Sequence, residues 1–434
     1  MSITGFFHAV TSRPPLGLDG DRPPSGGPRP GRWEAALWCL AALITLYAAG
    51  LFGFGCLNAW WRNFDGDMQV RAAEYDWFRD GVYPNRAIEP QPPDRPWVYT
   101  VYPPYALPLF AVFFEPGGLL QGRFVVEVLS LLAYVAMGVC GHRALARHGA
   151  AMAALGAVVG AGIAANGTAI TVGQFSILCA GCIALQMVFI AQGRPVVAGG
   201  WWALAMLKPQ IGLPFVLLFM IRRQQLGTLF GALVLVGLSL LACVWTEVLP
   251  DTLIQHWRGG MSMKFAAGGY GIGPGTLANA FGLNFRMVQL VCLCTLVVLA
   301  LALTGFVRRH EEEALLPLAG ACAVVGMFIT YHRHYDNVML FPTLLASLHA
   351  AAVSRRPLPT AVAVAILLSL VVPKRVLELV PFHESLQAAV WLVAAIVPIW
   401  VVAKSPPETG PSPATVGPLP IGGPRGIEPV GAAE

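Results

Sequence analysis

Apolar windows of about twenty residues recur along almost the whole chain, and nothing constrains its fold more. Such a window matches the thickness of a hydrocarbon core, where only helices or closed barrels satisfy every backbone polar group. The windows fall at roughly 33–59, 120–141, 149–166, 170–191, 194–207, 209–221, 226–247, 286–307, 314–331, 336–353, 357–373 and 386–403. They predict an all-α, polytopic integral membrane protein with about twelve spans. The short pair flanking Lys208 is expected to be tilted, broken or re-entrant. Charged residues make up 12% of the chain, against about 25% in an average soluble domain. No polar stretch is long enough to bury a core of its own.

Residues 1–32 and 405–434 are rich in Pro and Gly and read as disordered cytoplasmic tails around one transmembrane unit, 33–404. No apolar core follows the initiator Met closely enough for a cleavable signal. The net charge of +5 comes from arginines in short loops and tails. It reports orientation and gives no footprint for nucleic acid.

With the N-terminus inside, the basic clusters at Arg22, Arg29 and Arg32, His142 to Arg147, Arg222 and Arg223, Arg308 and Arg309, and Arg355 and Arg356 all fall on the cytoplasmic face. Lys374 and Arg375 are the exception and land outside. This solution requires the Pro108-containing segment Tyr105 to Glu115 to lie at the outer interface without crossing. The outer face then receives residues 60–119, Asn166 to Gln174, the Lys208 turn, 248–285, the 331–336 turn and 374–385.

Residues 60 to 104 hold seven of the 23 acidic residues, so chemistry is sought there first. Asp65 and Asp67 follow the first span directly. A carboxylate against an apolar wall is a stronger base than one in water and can take a proton from an attacking hydroxyl; an N-cap is the plainer use. Asp76 and Asp80 read as solvent-facing partners of Arg79.

The turn Tyr331-His-Arg-His-Tyr-Asp-Asn337 gathers two histidines, an arginine and an aspartate at a membrane boundary. Arg333 with His332 or His334 suits a phosphate through charge-assisted hydrogen bonds, whereas the set with Asp336 fits a divalent ion only loosely. An interfacial polar belt is the bland alternative. Lys208 interrupts Ala205-Met-Leu-Lys-Pro, where it either snorkels or meets an anion in a cavity wall broken by Pro209. Gln174 is a substrate contact or a helix-end polar group. Cys179 and Cys182 have redox spacing inside an apolar helix and read as two separate thiols. Asn166-Gly-Thr168 fits a glycosylation sequon by chance as easily as by design. Gly268 to Gly275 reads as a flexible loop.

Asp67-Met-Gln-Val followed by Gly81-Val-Tyr-Pro, Val101-Tyr-Pro-Pro-Tyr, Gly173-Gln-Phe-Ser, Ala205-Met-Leu-Lys-Pro and the histidine turn stand in one order with spans between them. In this the chain resembles glycosyltransferase family 87, GT-C-class membrane enzymes that use polyprenyl-phosphate sugars. The resemblance implies a GT-C fold with an outward cavity in a bacterial plasma membrane. It also implies inverting transfer of one sugar, a hexose such as mannose or a pentose such as arabinose, to a lipid or glycan acceptor. The family's loop-one carboxylate falls on Asp67, with Asp65 the alternative, and Tyr102, Gln174, Lys208, His332, Arg333, His334 and Asp336 fall in its substrate-binding motifs. The family more often carries tyrosine where this chain has Arg71, and Ser-Trp-x-His-His in the late motif.

The expected mechanism is direct displacement, with Asp67 as base and Lys208, Arg333 and one histidine around the departing polyprenyl phosphate. No cofactor or metal is demanded, since fixed cations can hold a phosphate monoester. A transporter or lipid flippase would need an internal repeat with sites near mid-membrane, and none is visible. A polymerase or ligase using a polyprenyl-diphosphate donor is the enzymatic rival.

Overall fold

In this computed structural model the described residues are 31–61, 66–84, 100–266, 313–329 and 332–404, with scattered positions between 287 and 310. Asp65, the Gly268–Gly275 loop, residues 1–30 and 405–434 and most of the 286–307 window lie outside them, while 31 and 32, read from the sequence as tail, open the first helix. Every regular element among the described residues is helical: α1 (Gly31–Trp61), α2 (Gly66–Arg79), α3 (Ala106–Phe114), α4 (Gly118–Leu145), α5 (Ala150–Val159), α6 (Ala165–Thr171), α7 (Ser176–Ala191) and α8 (Pro195–Ala205). Then come α9 (Pro209–Ile221), α10 (Gln225–Thr246), α11 (Pro250–Ala266), α12 (Leu315–Ile329), α13 (His334–Ser354, opening with a 3-10 stretch), α14 (Pro357–Val371), α15 (Lys374–Leu377) and α16 (His383–Lys404).

The boundaries follow local chemistry. Four helices open on proline (Pro195, Pro209, Pro250 and Pro357), whose fixed φ and missing N–H cost nothing in a first turn. Helices α10 and α13 stop where Glu247 and Arg355 turn left-handed, at φ 53° and 51°. The window at 149–166 is broken: α5 ends at Val159 and α6 begins at Ala165. Asn166 Nδ2 covers the carbonyls of Gly160 and Ala161 at that break, each at 3.0 Å. Its side chain is therefore buried in the break, and the sequon is not presented to a glycosylating enzyme. Cys179 and Cys182 are separate buried thiols, as their apolar setting predicts.

Among the described residues, five helices are long and apolar enough to cross a bilayer, within α1, α4, α10, α13 and α16, with six shorter apolar helices besides. Leu46 on α1, Leu132 on α4 and Leu233 on α10 are more than half exposed, a surface that lipid covers and water would not. Inside, Gly141 of α4 meets Gly156 of α5 so closely that a Cβ on Gly141 would stand 2.0 Å from the Gly156 carbonyl oxygen. Small residues at a helix crossing allow this backbone approach.

Helix α2 is short and amphipathic. Met68, Arg71, Tyr75 and Phe78 share a buried face at helical spacing. Helix α3 has nine residues, about 14 Å of helix, which is too short to cross. It lays Leu107, Phe110 and Phe114 into the core and leaves Val112 exposed. Tyr75 of α2 donates to Glu115 at 2.9 Å, and burial together with that carboxylate pushes its hydroxyl up to about 12. Trp245 and Trp257 clasp the same region, donating to the carbonyls of Phe78 and Val101 at 2.7 and 3.2 Å.

Candidate active site

The end of α2 nearest α1 meets the turn between α6 and α7 because residue 173 is glycine. Its φ is +69°, and a Cβ there would stand 2.6 Å from the Met68 Cβ. With that atom absent, Asp67 and Gln174 come into register, and Gln174 Nε2 donates to Asp67 Oδ2 at 2.5 Å. Asp67 is half-buried, and its other carboxylate oxygen has no hydrogen-bond partner among the described residues.

Lys208 reaches the same amide from the opposite side. Helix α8 ends at Ala205 and Pro209 opens α9. The residue before a proline is pushed to extended backbone, and Lys208 has φ −118° and ψ 93°. That turns its side chain inward, where it is 3% exposed. Its ammonium donates to Gln174 Oε1 at 2.9 Å, Ser176 Oγ at 2.8 Å and Asp336 Oδ1 at 2.5 Å. An ammonium has three N–H donors, and all three are engaged. Ser176 also donates to Asp336 Oδ1, at 2.6 Å.

Asp336 closes the chain of contacts. It is 1% exposed, and its Oδ2 accepts the Arg333 backbone N–H at 3.2 Å, which fixes the turn that carries it. His332 Nε2 lies 2.7 Å from the Gly326 carbonyl. A carbonyl only accepts, so that nitrogen carries the proton, and Nδ1 stands 3.9 Å from Asp336 Oδ2. Burial, opposed by the Asp336 charge, lowers the His332 pKa from its ordinary value. Tyr335 places its ring 4.8 Å from Lys208 Nζ and 6.0 Å from the Arg333 guanidinium carbon. Asn337 contacts His334 Nδ1 at 3.3 Å.

The structure thus joins Asp67, Gln174, Lys208 and Asp336 in one continuous network with His332 at its edge. It differs from the sequence expectation in two respects. The anion that Lys208 meets is Asp336 of the chain itself, so no ammonium donor remains for a substrate phosphate in this state. Tyr102 is not in the network. It packs edge-on against Phe110 and Phe175, with the Arg71 guanidinium 4.7 Å above its ring. Arg333 and His334 border a neighbouring cavity. Two contributors were not singled out from the sequence, Ser176 and Tyr335. Ser176 stands three residues after Gly173 in the quoted motif, and its place at a helix start concealed its second use.

The sequence profile of glycosyltransferase family 87 matches residues 99–331, just over half of the chain. The chain belongs to glycosyltransferase family 87. It is accordingly a membrane glycosyltransferase, with the all-helical, polytopic GT-C-type fold of that class. Tyr102, Gln174, Ser176 and Lys208 lie inside the matched stretch, while Asp67 and the turn at 332–336 flank it. No curated protein and no solved structure matches the chain. Asp67 and Asp336, outside the matched stretch, hydrogen-bond to Gln174 and Lys208 inside it.

Proposed function

We propose that this family 87 enzyme transfers one sugar, a hexose such as mannose or a pentose such as arabinose, from a polyprenyl-phosphate donor to an acceptor hydroxyl. The reaction takes place on the outer face of a bacterial plasma membrane and inverts the anomeric configuration. Asp67 carries the reading. A carboxylate with one oxygen held by Gln174 and the other open, half-buried beside membrane helices, is oriented to accept a proton.

As the acceptor oxygen attacks the anomeric carbon, its proton passes to Asp67. The bond from that carbon to the phosphate oxygen breaks, and the electron pair leaves with the polyprenyl phosphate. The sugar passes through an oxocarbenium-like transition state. Attack and departure on opposite faces give inversion. Lys208 acts in this scheme as a positioning residue: held by Asp336 and Ser176, it holds Gln174, which aims Asp67. Cations that face the phosphate stabilise the charge it gains, and Arg333 is the candidate for that part.

Purified protein incubated with synthetic polyprenyl-phosphate sugars and a set of acceptors tests the proposal, with release of polyprenyl phosphate as the readout. Turnover of at least one donor, with the opposite anomer in the product, is expected. Inactivity on every donor, together with movement of labelled polyprenyl lipid across vesicles, would replace it with a flippase.

A further inference from the structure

The cavity bordered by Arg333 and His334, of about 400 Å³, opens between the 332–337 turn and the hairpin formed by α15 and the start of α16. Neither Asp67 nor Lys208 lines it. Tyr335 does, and since its ring also faces the Lys208 ammonium, it forms the wall between the cavity and the Asp67 network. Arg333 and Lys374 border the space against one carboxylate among the described lining residues, Glu384. His383 adds a ring nitrogen, Nε2, that is buried and has no hydrogen-bond partner among the described residues. A buried polar atom in that state calls for a partner.

Two observations point to a lipid anion. Lys374 lies in the basic pair that departs from the inside rule, so membrane orientation does not account for its charge. Its ion pair with Glu378 is 3.5 Å long with both side chains about half exposed, a contact worth little in water and readily exchanged for a stronger anion. Beside it the hairpin turns apolar side chains outward: Leu379, Phe382 and Leu386 are 80%, 85% and 57% exposed. Phe382 does so from a φ of +58°, which a residue with a bulky side chain adopts only against strain. The floor is rigid, since Gln387 and Trp391 of α16 donate to the Ser369 carbonyl and hydroxyl at 3.0 and 3.2 Å.

We propose that this cavity holds the phosphate of a polyprenyl-linked substrate, with Lys374 and His383 joining Arg333 as its contacts and the apolar lip at Leu379, Phe382 and Leu386 receiving the first isoprene units. The lipid part rests on the polyprenyl-phosphate reading above. The proposal moves the phosphate-holding role from Lys208, whose donors are spent, to the final hairpin. A sugar borne on that phosphate would reach past Tyr335 towards Asp67.

Binding of farnesyl phosphate, followed by tryptophan fluorescence in detergent, tests this without requiring any transfer. Saturable binding is expected, with farnesol and inorganic phosphate each weaker by about tenfold or more. Lys374→Ala and His383→Ala should each weaken farnesyl phosphate by about tenfold, Lys374→Arg should restore most of that loss, and Asp67→Asn should bind as the wild type does. Undiminished binding in both alanine variants overturns the assignment, and equal affinity for inorganic phosphate overturns its lipid part. Because no sugar moves, a chain inactive on every donor can still pass this test. An active one can still fail it.

Discussion

Arg71–Glu74 and Lys208–Asp336 are both ion pairs sealed from solvent, the first 2.7 Å long within α2 and the second 2.5 Å long between residues 128 apart in the chain. They differ in what they touch. The guanidinium of Arg71 lies on the Tyr102 ring, and its Nε donates to the backbone carbonyl of Asp67 one turn back along α2 at 3.4 Å. The ammonium of Lys208 also donates to Gln174, and through it reaches the Asp67 carboxylate. A buried pair commonly adds little net stability over an apolar pair of similar shape. What distinguishes the second pair is therefore its reach to the Asp67 carboxylate through Gln174, whereas the first touches only the backbone of that residue.

Variants can break this comparison. Lys208→Met and Asp336→Leu should have the largest effects on folding, each costing about 3–5 kcal/mol because one charge is left buried alone. The double variant should recover much of the thermal stability in a detergent melt yet remain inactive. Recovery of transfer in the double variant would show that the pair is only structural. Gln174→Ala should come next, leaving the fold intact and lowering kcat on the order of tenfold to a hundredfold through a misplaced base. A smaller effect is expected for Gly173→Ala, since the positive φ and the Met68 contact together strain it by about 1–3 kcal/mol, with kcat falling in step as α2 shifts. Glu74→Gln should change kcat least, within about threefold, while lowering the melting temperature. A larger loss of rate there would place Arg71–Glu74 in the chemistry and erase the distinction.

The same contrast shows what the sequence could disclose. Apolar windows gave the membrane class and most helix positions, because lipid imposes length and composition locally. The break between α5 and α6 escaped them, since a Gly-rich stretch at 160–164 remains apolar while its backbone carbonyls are capped by Asn166. Arg71 and Glu74 announce their pairing by spacing of three on a helix. Pro209 announced the end of α8, and so the unusual place of Lys208. No local pattern could supply its partner, because Asp336 arrives from another helix. The histidine turn shows the same limit: its residues suggest contacts for a substrate, and no local pattern discloses that His332 Nε2 meets the Gly326 carbonyl or that the adjoining aspartate meets Lys208. Motif order grouped the candidate residues, and tertiary contact supplies their pairings.

The central claim concerns one proton. Single-turnover transfer from a preloaded polyprenyl-phosphate sugar, comparing wild type with Asp67→Asn, isolates it, since asparagine keeps the shape and can still hydrogen-bond Gln174. We predict unchanged donor binding and melting temperature with a chemical step slowed by about a hundredfold to ten-thousandfold. An asparagine variant that transfers sugar at the wild-type rate would contradict the account.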